Sequence, residues 1–354
     1  MIPIRNIYYM LSYAFHLLTE QGYKNLATEE FNNTADLCAA ILSKGVSIQL
    51  KRGLTREYIT QSEPLSSLRG KISISESLKT QSLFRKQLVC DYDDFSFDSY
   101  LNRIIKSTME LLLHSDIAKE RKKELRKLMI YLSEIETIDL YTVDWNLQYN
   151  RNNQTYRMLI SICYLVVKGL LQAQSNGTQK LMDFFDEQRM CRLYEKFILE
   201  YYRKHYPCIK ANPSQITWQL DNDFNEMLPV MQTDILLSQK DKVLIIDAKY
   251  YAHTTQQQYG VNTLHSNNLY QIFTYVKNKE HELANVPHIV SGMLLYARTD
   301  DSILINNEYR MSGNIISVKT LDLDCEFSVI ASQLNNIAEA FFDCNVDESN
   351  IRSD

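Results

Sequence analysis

Residues 229–251, PVMQTDILLSQKDKVLIIDAKYY, limit what this chain can fold into more than any other stretch. Two runs rich in branched apolar residues, 230–237 and 243–248, flank the polar tetrad Ser238-Gln239-Lys240-Asp241. That pattern predicts a β-hairpin with a short loop. Residues two apart on a strand share a face. Asp247 and Lys249 therefore point the same way, and Asp234 on the paired strand can face them. The hairpin is expected to gather two carboxylates and one ammonium on a sheet. Such a group can hold a divalent metal and aim a water at a phosphodiester.

The surrounding pattern suits this expectation. Helical spacing covers 186–205, 267–277 and 327–342, and strand-like runs cover 216–220, 289–297 and 315–320. This order predicts a compact α/β core with a mixed sheet flanked by helices. Hard carboxylate oxygens suit Mg²⁺. Asp234 and Asp247 are the expected side-chain ligands, and the backbone carbonyl of Ala248 is a third. Lys249 would orient or help deprotonate the attacking water and stabilise growing negative charge. Glu195 lies on the helix before the hairpin among Leu193, Phe197 and Ile198. It either completes a second metal site or binds a metal-bound water, or it is a surface carboxylate beside Lys196. Gln271 and Tyr275 share a face of the following helix. They either lie across the metal site or form a polar pair capping the core.

The first half of the chain reads differently. An amphipathic helix is expected over 3–18, through Ile7, Met10, Leu11, Ala14, Phe15 and Leu18, for the core or for docking. A second is expected over 34–50. Two extended segments, 53–60 and 71–75, flank a polar loop at 61–70, as a plain antiparallel pair or a projecting finger. Asp91-Tyr92-Asp93-Asp94 reads as an acidic turn before a helix over 95–113. The run KERKKELRK at 119–127 either meets phosphates or is a solvated helix face. A linker is expected at 172–179. With 354 residues, the chain is predicted to have two domains, at 1–174 and 175–354, of α+β and α/β type.

The net charge of −5 lacks the overall basic footprint of an autonomous nucleic-acid binder. A local basic cleft or a partner would have to supply much of any DNA affinity. Seven scattered cysteines without C-x-x-C spacing predict free thiols in a reducing cytoplasm and no structural zinc. The N-terminus lacks the pattern of a signal peptide. The apolar stretch 158–171 is too short and too polar to span a bilayer, so no membrane association is expected.

Together, Asp234, Asp247-x-Lys249, the upstream Glu195 and the downstream Gln271-x-x-x-Tyr275 resemble the PD-(D/E)xK nuclease superfamily, in its branch with a Q-x-x-x-Y helix. Thr233 stands where that pattern often has proline. More extensively, the chain is similar to the McrC family, endonuclease subunits of McrBC restriction systems that attack DNA with modified cytosine. The similarity is carried by IPIRNIYYMLSYA at 2–14, NRIIKST at 102–108, TDI at 233–235, IDAKYY at 246–251, HS at 265–266 and NLYQ at 268–271. It implies a Mg²⁺-dependent endonuclease acting on double-stranded DNA. It also implies a partner, a McrB-like AAA+ GTPase hexamer whose pore receives the N-terminal region and whose GTPase is stimulated. On that reading 53–75 is a finger, with Arg69 and Lys71 near its tip as candidate contacts. The segment AHTTQQQYGVNT at 252–263 departs from the family in having no basic residue. Two other classes remain open: a nuclease-fold adaptor that regulates the ring without cutting, and a stand-alone DNA repair nuclease.

Overall fold

The computed structural model describes residues 2–15, 23, 26, 29–149, 153, 155–175, 187–222, 226–251, 256–258, 261–298 and 304–344. The chain divides into two compact units, Thr28–Phe184 and Met1–Ala27 together with Phe185–Asp354. The boundary lies at 184/185, not at the expected 174/175. The first helix, α1 (Ile4–Ala14), belongs to the second unit and not to an N-terminal domain. Its aromatic face explains this. Tyr13 packs edge-on to Phe197, and its hydroxyl lies 2.7 Å from His205 Nε2 in the core. Asn6 Nδ2 donates to the carbonyls of Leu323 and Cys325 at 2.8 and 2.7 Å.

The Thr28–Phe184 unit starts with α2 (Thr34–Arg52), capped by Asn33, whose side chain accepts the Asp36 N–H at 2.8 Å. Next come β1 (Glu57–Leu65), β2 (Lys71–Ile72), α3 (Ile74–Lys79), a 3-10 turn at Ser82–Arg85 and β3 (Leu88–Ser96). α4 (Tyr100–Leu113), α5 (Lys119–Tyr131) and α6 (Tyr156–Ser175) complete it. β1 pairs antiparallel with β3 from Glu57 opposite Ser96 to Leu65 opposite Leu88, and β2 takes the other edge of β3.

The expected finger is thus longer and differently paired. Its second strand is the supposed acidic turn 91–94, and the helix expected from 95 starts at Tyr100. Much of the expected 61–70 loop is strand. Gly70 (φ +69°) closes the turn where a Cβ would sit 2.2 Å from the Asp91 carbonyl. Arg69 lies over the Tyr92 ring at 4.0 Å and pairs with Asp94 at 3.2 Å, so it is held on the sheet. Asn102 anchors the base of the ribbon by donating to Thr55 and Phe97 carbonyls at 3.0 and 2.8 Å.

In the other unit, α7 (Glu187–His205) precedes β4 (Lys210–Asn212), β5 (Gln215–Ile216), β6 (Met231–Gln232), β7 (Ile235–Gln239) and β8 (Lys242–Lys249). After β9 (Gln256–Gln258) and β10 (Val261–Thr263) come α8 (Ser266–Glu282), β11 (Ile289–Ala297), β12 (Asn306–Met311), β13 (Asn314–Leu321) and α9 (Phe327–Phe341). Six strands form one mixed sheet in the order β12-β13-β11-β8-β7-β4. β11 runs parallel to both β8 and β13, and the remaining pairs are antiparallel.

α8 covers one face through Ile272, Tyr275 and Val276, packed with Ile245, Val290 and Leu294. Gly292 permits the approach: a Cβ there would stand 2.8 Å from both Ile272 and Val276 side chains. α7 joins α9 through Tyr202, whose hydroxyl donates to the Leu334 carbonyl at 3.0 Å. Cys208 and Cys344, beyond the ends of α7 and α9, form a disulfide. This corrects the expectation that every cysteine is free. Cys38, Cys90, Cys163, Cys191 and Cys325 are free. Among the described residues no helix is long and apolar enough to cross a membrane. Part of the expected linker, 176–179, and much of 252–263 lie outside the described residues.

Candidate functional site

The hairpin forms as expected, with two adjustments. Ser238 and Gln239 extend β7, so the turn is Lys240–Asp241, with Lys240 in the left-handed region (φ 53°). The first run also breaks in the middle. β6 leaves to pair with β5, and β7 begins only at Ile235. Thr233 holds the break. Its N–H donates to the Ser214 carbonyl at 2.9 Å, and its hydroxyl accepts the Ser214 N–H at 3.1 Å. A proline at 233 would lose the first of these bonds.

The break leaves Asp234 outside the ladder, beside the end of β8. Its Oδ2 accepts the backbone N–H of Ala248 at 3.0 Å. Asp247 is 1% exposed. Lys249 Nζ donates to Asp247 Oδ1 at 3.0 Å and lies 2.9 Å from Oδ2. On the other side, the same ammonium reaches Gln271 Oε1 at 3.4 Å. Gln271 Nε2 donates to the Tyr275 hydroxyl at 2.9 Å, and that hydroxyl donates to the Gln232 carbonyl at 3.1 Å. The chain from Asp247 through Lys249 and Gln271 to Tyr275 therefore ties α8 back to the strand just before Asp234.

Glu195 approaches from α7. Cys191, one helical turn earlier, donates its thiol to Glu195 Oε1 at 3.1 Å and lies 3.8 Å from the Ala248 carbonyl. Sequence reasoning passed over Cys191. Its i, i+4 spacing from Glu195 was the available signal. All six side chains singled out beforehand are thus brought to one end of the hairpin.

Burial and mutual repulsion both act against the charges gathered here. Burial pushes the Asp247 carboxyl up to about 7; Lys249 draws it down, and Asp234 adds to the rise. Burial also raises Asp234, against the pull of Lys249. Glu195 is raised by burial and then by the charge of Asp234. Burial opposes the charge on Lys249, but Asp247 and Asp234 outweigh it and hold the ammonium protonated. Burial and Glu195 push the Cys191 thiol up to about 12.

Three carboxylates thus crowd around one ammonium and repel each other. No group of three or more His, Cys, Asp or Glu side chains forms a ready metal cage among the described residues. The donors on hand are two carboxylates and a backbone carbonyl. These hard oxygens fit a cation that keeps several waters, as Mg²⁺ does. The excess negative charge is what such a cation would relieve.

Residues 4–297 match the family described as McrBC 5-methylcytosine restriction system component. The type IV methyl-directed restriction enzyme EcoKMcrBC of Escherichia coli (strain K12) is 31% identical over 347 residues, spanning 96% of this chain and 98% of that protein. The half-complex of Thermococcus gammatolerans McrB AAA+ hexamers with bound McrC, from a tetradecameric assembly, contains a chain of similar fold. The match has a TM-score of 0.52 at 19% identity and covers 95% of this chain and 76% of that one. The extent of the first two matches assigns the family: the chain belongs to the McrBC 5-methylcytosine restriction system components.

Proposed function

We propose that the chain is the Mg²⁺-dependent endonuclease subunit of a type IV McrBC-like restriction system, with a site of PD-(D/E)xK type. It cleaves double-stranded DNA containing modified cytosine when bound to a McrB-like AAA+ GTPase ring, and it stimulates that GTPase. The observation that carries this reading is the convergence of Asp234, Asp247, Lys249, Glu195 and Gln271 at the end of one hairpin. The methyl-directed restriction enzyme among its relatives supports the substrate, and the McrB–McrC assembly of similar fold suggests the partner.

Asp234, Asp247 and the Ala248 carbonyl would hold Mg²⁺. When bound, Mg²⁺ supplies charge for the scissile phosphate and lowers the pKa of a water. Lys249 stays an ammonium, which favours a positioning and charge-stabilising role over that of a proton acceptor. It places positive charge where negative charge grows on the phosphate oxygens. Gln271 holds Lys249 from the far side, and Tyr275 fixes the Gln271 amide. Glu195 is placed to hold a water on the α7 side.

The test combines the chain with the GTPase of its own system and modified-cytosine DNA. Cleavage is expected with Mg²⁺ and is expected to stop when the metal is chelated. Asp247→Ala should abolish cleavage yet leave partner binding and GTPase stimulation intact. Cleavage surviving Asp247→Ala would overturn the site. A folded wild-type complex that stimulates GTP hydrolysis but never cuts would favour the adaptor.

A further inference from the structure

α5 packs through Leu125, which is fully buried. Lys119, Lys122, Lys123, Arg126 and Lys127 recur at i, i+3, i+4, i+7 and i+8, so they form one stripe, with Lys122, three residues before Leu125, at its inner edge and the exposed Glu120, three residues before Lys123, bordering its outer edge. Four of them are exposed, and Lys122 is half-exposed. The helix's other basic residue, Arg121, is used internally. Its guanidinium pairs with Glu29 and, at 3.1 Å, with Glu124. The second pairing draws Glu124 away from the stripe. No ion pair engages the five stripe cations among the described residues.

This arrangement weakens the helix. Lys119 and Lys123, Lys122 and Arg126, and Lys123 and Lys127 are like charges at i, i+4. Solvated helix faces usually alternate sign. Composition does not force the clustering, since acidic residues outnumber basic ones by 43 to 38. The stripe also lacks an apolar centre of the kind protein interfaces bury. Apolar exposure begins only past the last cation, at Ile130 and Tyr131. Two parallel rows of cations, rising ~6 Å per step along the helix, match a polyanion. Four of the five are lysines, which act as point charges, and the stripe holds no Asn or Gln to read a base edge.

The geometry points to α5 as a sequence-independent dock for the phosphate backbone of double-stranded DNA. This inference rests on the reading of the chain as a protein that acts on DNA. It assigns to the Thr28–Phe184 unit a DNA contact of its own, apart from the carboxylate cluster.

The test uses the full chain carrying Asp247→Ala, so that binding is read without cleavage. A second protein adds Lys119→Gln, Lys122→Gln, Lys123→Gln, Arg126→Gln and Lys127→Gln. Both are titrated with an unmodified duplex oligonucleotide across a range of salt. The slope of log Kd against log salt should fall by about 4 to 5 in the second protein, since each phosphate contact contributes about 0.9. The loss should be the same with methylated duplex. Thermal stability should hold or rise, because like-charge pairs are removed. An unchanged slope in the folded variant overturns the proposal. So does loss of GTPase-ring binding with the DNA slope intact, which would make the stripe a protein contact. A wild-type chain that never cuts, yet binds DNA through these five residues, would sink the nuclease reading and leave this one standing. Cleavage with an unchanged slope would do the reverse.

Discussion

The Oδ2 of Asp234 accepts the backbone N–H of Ala248 at 3.0 Å, so a proposed metal ligand also stitches β8 to the break in the neighbouring strand. Structural and chemical roles can be separated by substitution. Asp234→Asn keeps an acceptor for the N–H, whereas Asp234→Ala leaves it without one, at a cost of ~1–3 kcal/mol. Both should lower cleavage by at least ~10²-fold, but only the alanine variant should lose stability in urea unfolding. Near-normal cutting by Asp234→Asn would remove Asp234 from the metal set.

Tyr275→Phe removes the hydroxyl that joins Gln271 to the Gln232 carbonyl. Gln271 then loses its fixed amide, and Lys249 its far-side partner. Stability should fall by ~1 kcal/mol. Cleavage should fall on the order of 10- to 10²-fold through misplacement alone. Unaltered single-turnover kinetics in Tyr275→Phe would return the Gln271–Tyr275 pair to the role of a core cap.

Gly292 sets the height of α8 over the sheet. Gly292→Val puts carbon into space where even a Cβ would meet Ile272 and Val276 at 2.8 Å. The expected cost is ~1–3 kcal/mol, with α8 lifted and Gln271 drawn from Lys249. Calorimetry and cleavage assays on the same preparation check both parts, and a variant as stable as wild type contradicts this packing.

The finger must be removed as a whole. Cutting out 57–72 alone would strip β1 from β3 and confound function with misfolding. Excising 57–96 is cleaner, because Glu57 and Ser96 are cross-strand partners and Arg56 stacks on Phe97 at 3.8 Å. A short Gly-rich bridge from Arg56 to Phe97 should leave a folded chain that no longer stimulates the partner GTPase. Full stimulation by that protein would refute the finger's role.

Arg103 pairs with Asp98 at 2.5 Å below the ribbon, and both side chains are largely covered. Burial tends to raise Asp98, but hydrogen bonds from Arg103 and the Glu136 backbone more than reverse this and lower its pKa. A depressed carboxyl stabilises the fold above its unfolded pKa, ~3.9, and that contribution is lost as pH falls through the lower folded value. Asp98→Asn should therefore cost ~1–3 kcal/mol at pH 7 and progressively less under acid. A pH-independent difference would show that the ion pair contributes nothing.

The candidate site was legible because its signals are local. The hairpin announces itself by two apolar runs, and Glu195, Gln271 and Tyr275 by helical spacing on either side. β3 was not legible. Asp91, Asp93 and Asp94 are poor strand formers, and a ribbon solvated on both faces shows no alternation. Its pairing with β1 spans more than thirty residues at the wide end, Glu57 to Ser96. α1 was assigned by adjacency in sequence, while its placement depends on Phe197, Tyr201 and Leu323, far along the chain. The Cys208–Cys344 link spans 136 residues and leaves no spacing pattern to read.

The placement of α1 with Phe185–Asp354 makes the Thr28–Phe184 unit an insertion within the other. During synthesis the inserted unit can fold as soon as it leaves the ribosome, since domains generally fold as units in order of emergence. α1 precedes the inserted unit, so its aromatic face stays uncovered until α7 and the stretch around Leu323, which follow that unit, have been translated. An apolar helix therefore stays uncovered while the whole inserted unit is made. The unit that carries the carboxylate cluster therefore closes only after the inserted unit has been made.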